Sequence, residues 1–363
     1  MKKKKIVAVT VLAIASAAVF LTVRHFSKPI LIGAVLPIDT SLGNEENLFI
    51  RYWQDRHPKI GLRTVKFVIE NPVSKEEEFK EAYRKLREEG VCAIIGGVLS
   101  RDGVWLAQEA AGSGIPTFGL TPSSAVLSGK KDSFFRLCAT NALQAKAVGM
   151  YYQRIGVKKL VLVTSVENTV YVEPYIRAVA EDFKGEMMQI PFSPEDRTWE
   201  KIFSASPEGI FTILPAKDVI QVVKTARERN PDILLGSSSW GSVEILSLYS
   251  GPLLDGVLFF TLGAELHGEE YKADIADFEQ KYRMKATNGS HYAISVCRIL
   301  YDAVRTVGSS REGLKLWFET PRIYDTIYGK IAMDEYGDAY NSRIIILETV
   351  NGAMTKKETV ELK

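Results

Sequence analysis

Three hydroxyl side chains carry the clearest chemistry in the sequence: Ser100 in one loop, Thr121 and Ser123 in the next. Each loop follows a short apolar run, residues 91–95 and 115–118, that reads as a buried strand. Gly96-Gly97 breaks the first strand, and a helix-like segment at 104–111 separates the two. Two strands of a parallel sheet therefore end in hydroxyl-rich loops on the same side. Ligands bind on that side of an open α/β sheet, because helix N-termini present free N–H groups there. Ser100 reads either as a helix N-cap or, with neighbouring N–H groups, as a receptor for a ligand carboxylate.

Catalytic patterns are missing from the sequence. The four histidines, His25, His57, His267 and His291, stand beside no GxSxG elbow, HExxH or paired-histidine motif. There is no glycine-rich phosphate loop. Asp334, Gly337 and Asp338 resemble a fragment of a calcium loop without its remaining ligands. Cys92, Cys138 and Cys297 are too scattered for a metal site or a disulfide framework and read as buried free thiols. The sequence thus predicts no enzyme, no metal and no cofactor. With 46 basic and 44 acidic residues the net charge is +2, and no basic face of domain size is visible. Nucleic acid is not an expected partner.

The elements that position the hydroxyl loops follow from periodicity. A chain of 363 residues favours two domains over one large core. Strands are predicted at 30–36 and 64–70, and helices at 42–55 and 75–89. Ser74 and Glu77 form a capping box for the second helix, and Gly90 ends it. A second series follows residue 136. Its predicted strands are 159–164, 186–190, 209–214, 233–236 and 256–261. Its predicted helices are 142–155, 175–183, a segment capped by residues 193–195, and 216–229. Amphipathic helices at 271–284 and 291–307 precede a tail of strands and turns. This alternation predicts two doubly wound parallel sheets of the α/β class.

The beginning of the chain is a separate unit. Lys2, Lys3, Lys4 and Lys5 precede residues 6–23, which carry no charge. A basic start and an apolar core read as an export signal. The apolar run is longer than an ordinary signal core and just reaches the length of a spanning helix, so an uncleaved membrane anchor is favoured over cleavage at Ala15-Ser16-Ala17. No cysteine in the segment supports a lipid anchor. The remaining chain is expected outside the cytoplasm.

The order IIGG, a serine in the next loop, a helix, GIP, a Ser/Thr loop and FFR resembles the type I periplasmic binding proteins. The resemblance is strongest to the branch that binds branched-chain amino acids for ABC transporters. It extends over nearly all of the chain beyond residue 30, with IGAVLP at 32–37 and Gly329-Lys330-Ile331 through Asp338 as further matches. It implies two lobes joined by three hinge crossings, placed near 137–141, 262–265 and 331–334. The domains expected are 1–29 as export signal or anchor, 30–138 plus 266–330 as lobe 1, and 139–265 plus 331–363 as lobe 2.

The resemblance also assigns roles. Ser100 falls on the carboxylate-binding serine, and Thr121 and Ser123 fall where the family uses a carbonyl and a hydroxyl on the ligand's amino-acid head. Tyr171 lies near the family's Tyr-Gly pair, with Val172 in place of the glycine, and reads as a second-lobe lid contact or a surface tyrosine. A second-lobe tyrosine common in the family is replaced by Pro215-Ala216. The main departure is GSSSWGS at 236–242, where amino-acid binders carry an acid for the ligand's ammonium. Ser238 or Ser239 stands there, with Trp240 following as an aromatic face for the ligand or as a packed core residue. A buried ammonium without a counter-ion is costly. The expected ligand is therefore a carboxylate or amide without an α-amino group, unless Glu173 or Glu244 substitutes. The implied function is delivery of a small organic ligand to an ABC permease; the alternative is a membrane-tethered sensor with the same fold.

Overall fold

The computed structural model describes residues 28–362 apart from 74, 194–197, 243–244, 250, 262–264 and 341–342. The expected export segment, the Ser74 cap, residues 194–195 of the predicted helix cap, the second crossing at 262–264 and Glu244 lie outside the described residues. Among the described residues no helix is long and apolar enough to cross a membrane.

Strand β1 (Ile30–Val35) is almost wholly buried, as a strand covered on both faces must be. It lies between β3 (Arg63–Glu70) and β4 (Ala93–Gly96), parallel to both, in a six-stranded sheet. The short β2 (Lys59–Ile60) edges β3, and β5 (Thr117–Gly119) and β6 (Phe134–Arg136) complete the far side. Alternate side chains feed two cores. Ile32, Ala34 and Ile95 face one with helix α1 (Ser41–Arg56), while Val35 and Ile94 face the other with α2 (Glu76–Glu89) and α3 (Ser100–Ser113). Gly90 ends α2 in the left-handed region at φ 81°, which only glycine adopts without strain.

Residues 137–141 lead from β6 to α4 (Asn141–Arg154), which packs on the second sheet. That sheet contains β7 (Lys159–Thr164), β8 (Glu186–Pro191), β9 (Gly209–Ile213), β10 (Leu234–Ser237) and β11 (Leu258–Thr261). Between its strands run α5 (Thr169–Asp182), α6 (Thr198–Ser204) and α7 (Ala216–Arg229). Leu160 and Leu162 face one side of β7 and Val161 and Val163 the other, so this sheet too is buried on both faces. The chain then returns through α8 (Glu269–Tyr282), α9 (Asn288–Val307) and α10 (Arg311–Glu319), of which α9 packs on α1.

The tail differs from expectation. The crossing expected at 331–334 lies instead inside a small antiparallel sheet of β12 (Arg322–Thr326), β13 (Gly329–Met333) and β14 (Ala339–Tyr340). Ile331 pairs with Tyr324 and Met333 with Arg322, and Met333 is buried in the first-lobe core. The chain joins the second sheet only with β15 (Arg343–Val350), antiparallel to β11, and β16 (Ala353–Glu361). Asn351-Gly352, both at positive φ, make the two-residue turn between them. The result is an α/β molecule of two lobes with parallel-rich sheets.

Candidate functional site

A cavity of about 510 Å³ opens where the carboxyl ends of both parallel sheets meet. Its wall is built from the residues that immediately follow β1, β4, β5, β7, β9 and β10. Five long helices begin there, contributing Ser41, Ser100, Asn168, Ala216 and Asn288 from the starts of α1, α3, α5, α7 and α9. The first turn of a helix leaves N–H groups without acceptors and carries the positive end of the dipole. Each such terminus near an anion stabilises it by about 0.3–1 kcal/mol. The Glu45 carboxylate already takes that place at α9, and Thr40 accepts the Gly43 N–H at 3.1 Å at α1, so the starts of α3, α5 and α7, which carry no side-chain cap, are the ones left to favour negative charge.

The first-lobe wall holds Ser100, Thr121 and Ser123 together. Ser100 is not the N-cap of its helix. That position is Leu99, whose N–H is taken by Asp102 Oδ2 at 3.0 Å. Ser100, buried in the first turn of α3, instead accepts the N–H groups of Ser123 and Ser124 at 3.3 and 3.1 Å. Both lone pairs of its oxygen are thus used, and the hydroxyl proton is left to donate into the cavity. Thr121 Oγ1 donates to the Val98 carbonyl at 2.9 Å, with Glu46 Oε1 3.3 Å away. Glu46 is fully buried; burial, then the charge of Glu45, raise its pKa well above the usual range. Glu45 itself caps α9, accepting the Thr287 and Ser290 N–H groups at 2.7 and 3.0 Å.

On the second-lobe wall, Tyr171 and Trp240 meet edge to face with ring centroids 5.7 Å apart. Tyr171 is buried, not a surface residue, and sits in the first turn of α5, which begins six residues before the predicted start. Burial pushes its phenol up to about 12, with the hydroxyls of Ser239 and Ser238 beside it acting the other way. Ser238 does not reach the wall. It is fully buried, and Ser239 takes the place facing the cavity, its hydroxyl accepting Gln144 Nε2 at 2.9 Å. Pro215, Ala216 and Lys217 complete this side, Lys217 at the start of α7.

Two acids touch the wall, Asp102 and Glu167. Asp102 is fully buried: Oδ2 holds the Leu99 N–H at 3.0 Å, and Oδ1 lies 3.6 Å from Arg101 Nε without a hydrogen bond. Glu167 is exposed at the rim. Glu173, the expected stand-in for the missing acid, is exposed on α5 and is not part of the wall. Among the described residues no group of three or more His, Cys, Asp or Glu side chains is placed to hold a metal ion.

Sequence reasoning missed several contributors. Lys217 carried no motif. Arg136, only 1% exposed, pairs with Asp338, donates to the Ser124 carbonyl at 2.9 Å and to Ser128 Oγ at 2.8 Å, and so braces the loop that holds Ser123. The buried ion pair joins positions far apart in sequence, which no local pattern reveals. The resemblance to a calcium-loop fragment at Asp334 to Asp338 has a different cause. Asp334 Oδ1 accepts the Tyr336 and Asp338 N–H groups at 2.9 and 3.0 Å, forming a turn that aims Asp338 at Arg136.

Comparison with known proteins agrees with this architecture. A search of curated proteins finds no match. A leucine-binding protein from Thermotoga maritima is similar in structure, with TM-score 0.80 and 21% identity over 92% of this chain and 99% of that one. The solute-binding protein of an ABC transporter from R. palustris, in complex with benzoate, gives TM-score 0.81 and 20% identity over 92% and 97%. A branched-chain amino-acid substrate-binding protein from Streptococcus pneumoniae, in complex with isoleucine, gives 0.79 and 17% over 92% and 100%. The profile of a family described as periplasmic binding protein matches residues 53–353. The chain belongs to the periplasmic binding protein family.

Proposed function

We propose that this protein is an extracytoplasmic solute-binding protein that traps a small organic carboxylate lacking an α-ammonium and presents it to an ABC permease. The observation that carries this reading is the convergence of three uncapped helix N-termini, those of α3, α5 and α7, and the spare Ser100 hydroxyl proton on one cavity. The ligand carboxylate accepts from Ser100 Oγ and first-turn N–H groups of α3, with Ser123 and Thr121 beside it. Lys217 approaches from the second lobe, and Tyr171 and Trp240 cover the apolar part of the ligand. A ligand that contacts both lobes stabilises their closed arrangement by its differential affinity for that state.

Among the similar structures one holds benzoate and another isoleucine. The benzoate type of ligand suits this cavity better, because the family resemblance puts Ser239 and Trp240 where amino-acid binders carry an acid, and the buried Asp102 already holds the Leu99 N–H. The apolar first segment of the chain accords with an export signal or anchor. The test is a thermal-shift panel of amino acids, carboxylates and amides with the full chain. Ligand at a hundred times its Kd stabilises the folded state by about 2.7 kcal/mol. Carboxylates are expected to raise the midpoint. A rise with amino acids alone would overturn the reading.

A further inference from the structure

The chain enters the fold through a clamp. Lys28 and Pro29 precede β1, and one guanidinium holds both: Arg63 Nε donates to the Lys28 carbonyl at 3.1 Å and Nη2 to the Pro29 carbonyl at 3.4 Å. Its Nη1 donates to Ser309 Oγ at 2.8 Å, just after α9. Chain ends are ordinarily loose unless tied down, so three bonds from one side chain fix the point at which the preceding chain departs. Apolar side chains stand at the same place. Gly61 and Leu62 make the two-residue turn between β2 and β3, with Gly61 at φ 58°, and Leu62 beside the clamp is 77% exposed. Val307, two residues before Ser309, is 39% exposed. Because β1 runs parallel to β3 and β4, this is the amino edge of the first sheet. It lies one strand length, about 20 Å, from the cavity at the carboxyl edge.

What covers this edge follows from the chain that leaves it. Residues 6–23 carry no charge and reach the length of a spanning helix, and only residues 24–28 connect them to the clamp. Five residues span at most roughly 16–18 Å when fully extended. The headgroup layer on one side of a bilayer takes up about 5–7 Å of that reach. A domain of roughly 170 residues has a radius of gyration of about 15 Å, so its far side is out of range. A lobe held this closely faces the membrane with the edge that carries the clamp. We propose that this edge is a membrane-docking surface, on which Leu62 and Val307 enter the headgroup layer of the bilayer that holds the anchor. The proposal rests on reading the first segment as an uncleaved anchor. Charge does not drive the contact, since exposed Lys28, Lys59 and Arg305 are countered at this edge by Asp302, Glu88 and Glu89. The tether suffices: it makes the contact intramolecular, at an effective concentration on the order of millimolar. The cavity is thereby carried about one strand length above the membrane, with the second lobe outermost.

The test is fluorescence of the full chain reconstituted in vesicles of phosphatidylethanolamine and phosphatidylglycerol. The native Cys92, Cys138 and Cys297 are buried, so an environment-sensitive thiol label selects Leu62→Cys, Val307→Cys or, at the opposite end of the molecule, Leu234→Cys. All three positions are exposed, so these exchanges leave the cores intact. Lipids spin-labelled near the headgroup are expected to quench most of the emission at positions 62 and 307 and none at position 234. Adding Leu62→Asp is expected to restore the emission of the label at position 307; quenching that survives it would remove Leu62 from the contact and overturn the proposal. Solvent-like emission at position 62 without lipid quenching would also overturn it. So would shielding from aqueous iodide without lipid quenching, the result that a second copy of the chain on this surface would give. Flotation of the vesicles in a density gradient separates this inference from the one beneath it. Chain that floats while position 62 stays unquenched removes the docking surface and leaves the anchor. Chain that does not float removes both.

Discussion

Ser124 Oγ donates to the carbonyl of Val170 at 2.5 Å, a bond that runs from the loop after β5 to the first turn of α5. It therefore joins one lobe to the other. Val170 has this carbonyl to spare because Pro174, four residues on inside the helix, has no N–H to offer it. A second bond crosses the junction from Arg101 to the Glu167 carbonyl at 3.5 Å, and Asn141 at the start of α4 accepts the Ala125 N–H at 3.1 Å while donating to the Tyr171 carbonyl at 2.8 Å.

A bond that exists only while the lobes touch strengthens binding of a ligand held between them. Ser124→Ala is expected to weaken carboxylate binding by about 2- to 10-fold, the equivalent of one hydrogen bond. Calorimetry checks this, and an affinity identical to wild type would show that the bond plays no part in closure.

Ser100 and Ser123 should behave differently, although both line the cavity. Ser100→Ala removes two accepted bonds as well as the ligand donor, so stability falls by about 1–3 kcal/mol in addition to the loss of affinity. No side-chain bond of Ser123 is seen among the described residues, so Ser123→Ala costs affinity alone, by roughly tenfold. Urea unfolding of the ligand-free variants separates the two. Equal stability of both would contradict the loop tie between Ser100 and Ser124.

Much of this arrangement was legible in the sequence, and the failures have physical causes. The strand at 159–164 and the helix at 216–229 were readable to the residue, because an apolar run or a 3.6-residue stripe is written locally. The start of α5 was not. A proline reads as a boundary, yet Pro174 removes only one intrahelical donor, and the freed Val170 carbonyl has Ser124 as its partner. The loop at 236–242 left Ser238 and Ser239 as alternatives: three consecutive serines conceal which one faces outward, and Ser239 does. Arg136 with Asp338, and Glu46 beside Thr121, depend on contacts between distant parts of the chain. No spacing rule detects them.

Arg136→Met tests the brace behind the first-lobe loop. Removing one partner of a buried pair strands the other, at a cost of about 3–5 kcal/mol. The unfolding midpoint in urea is expected to fall accordingly, and Asp338→Asn to cost at least as much, because it strands the more deeply buried Arg136 guanidinium. A change in stability below about 1 kcal/mol for Arg136→Met would show that the pair is not coupled to the fold.

The pH dependence of stability contains two opposed contributions. Burial lowers His291 from 6.5 to about 4. The unfolded chain then binds the extra proton between those values, so this contribution is lost as pH falls from about 6.5 towards 4 and amounts to about 3 kcal/mol. Glu46 is raised above 4.5, so the folded state holds the extra proton and stability declines as pH rises through that range. Relative to wild type, His291→Gln should gain stability on going from pH 7 to 4.5, and Glu46→Gln on going the other way. Chemical unfolding across this range gives both difference curves. Flat curves would contradict the buried states of the two groups.

The most direct measurement compares amino acids with their deaminated acids. Calorimetric titration of the full chain with leucine and 4-methylpentanoate, and with phenylalanine and 3-phenylpropanoate, isolates the ammonium. The cavity collects helix N-termini and a spare serine proton for the carboxylate, while Asp102 is fully buried and holds the Leu99 N–H. The deaminated acid of each pair is expected to bind about ten- to a hundredfold more tightly. Submicromolar binding of an amino acid whose deaminated counterpart fails to bind would contradict the account.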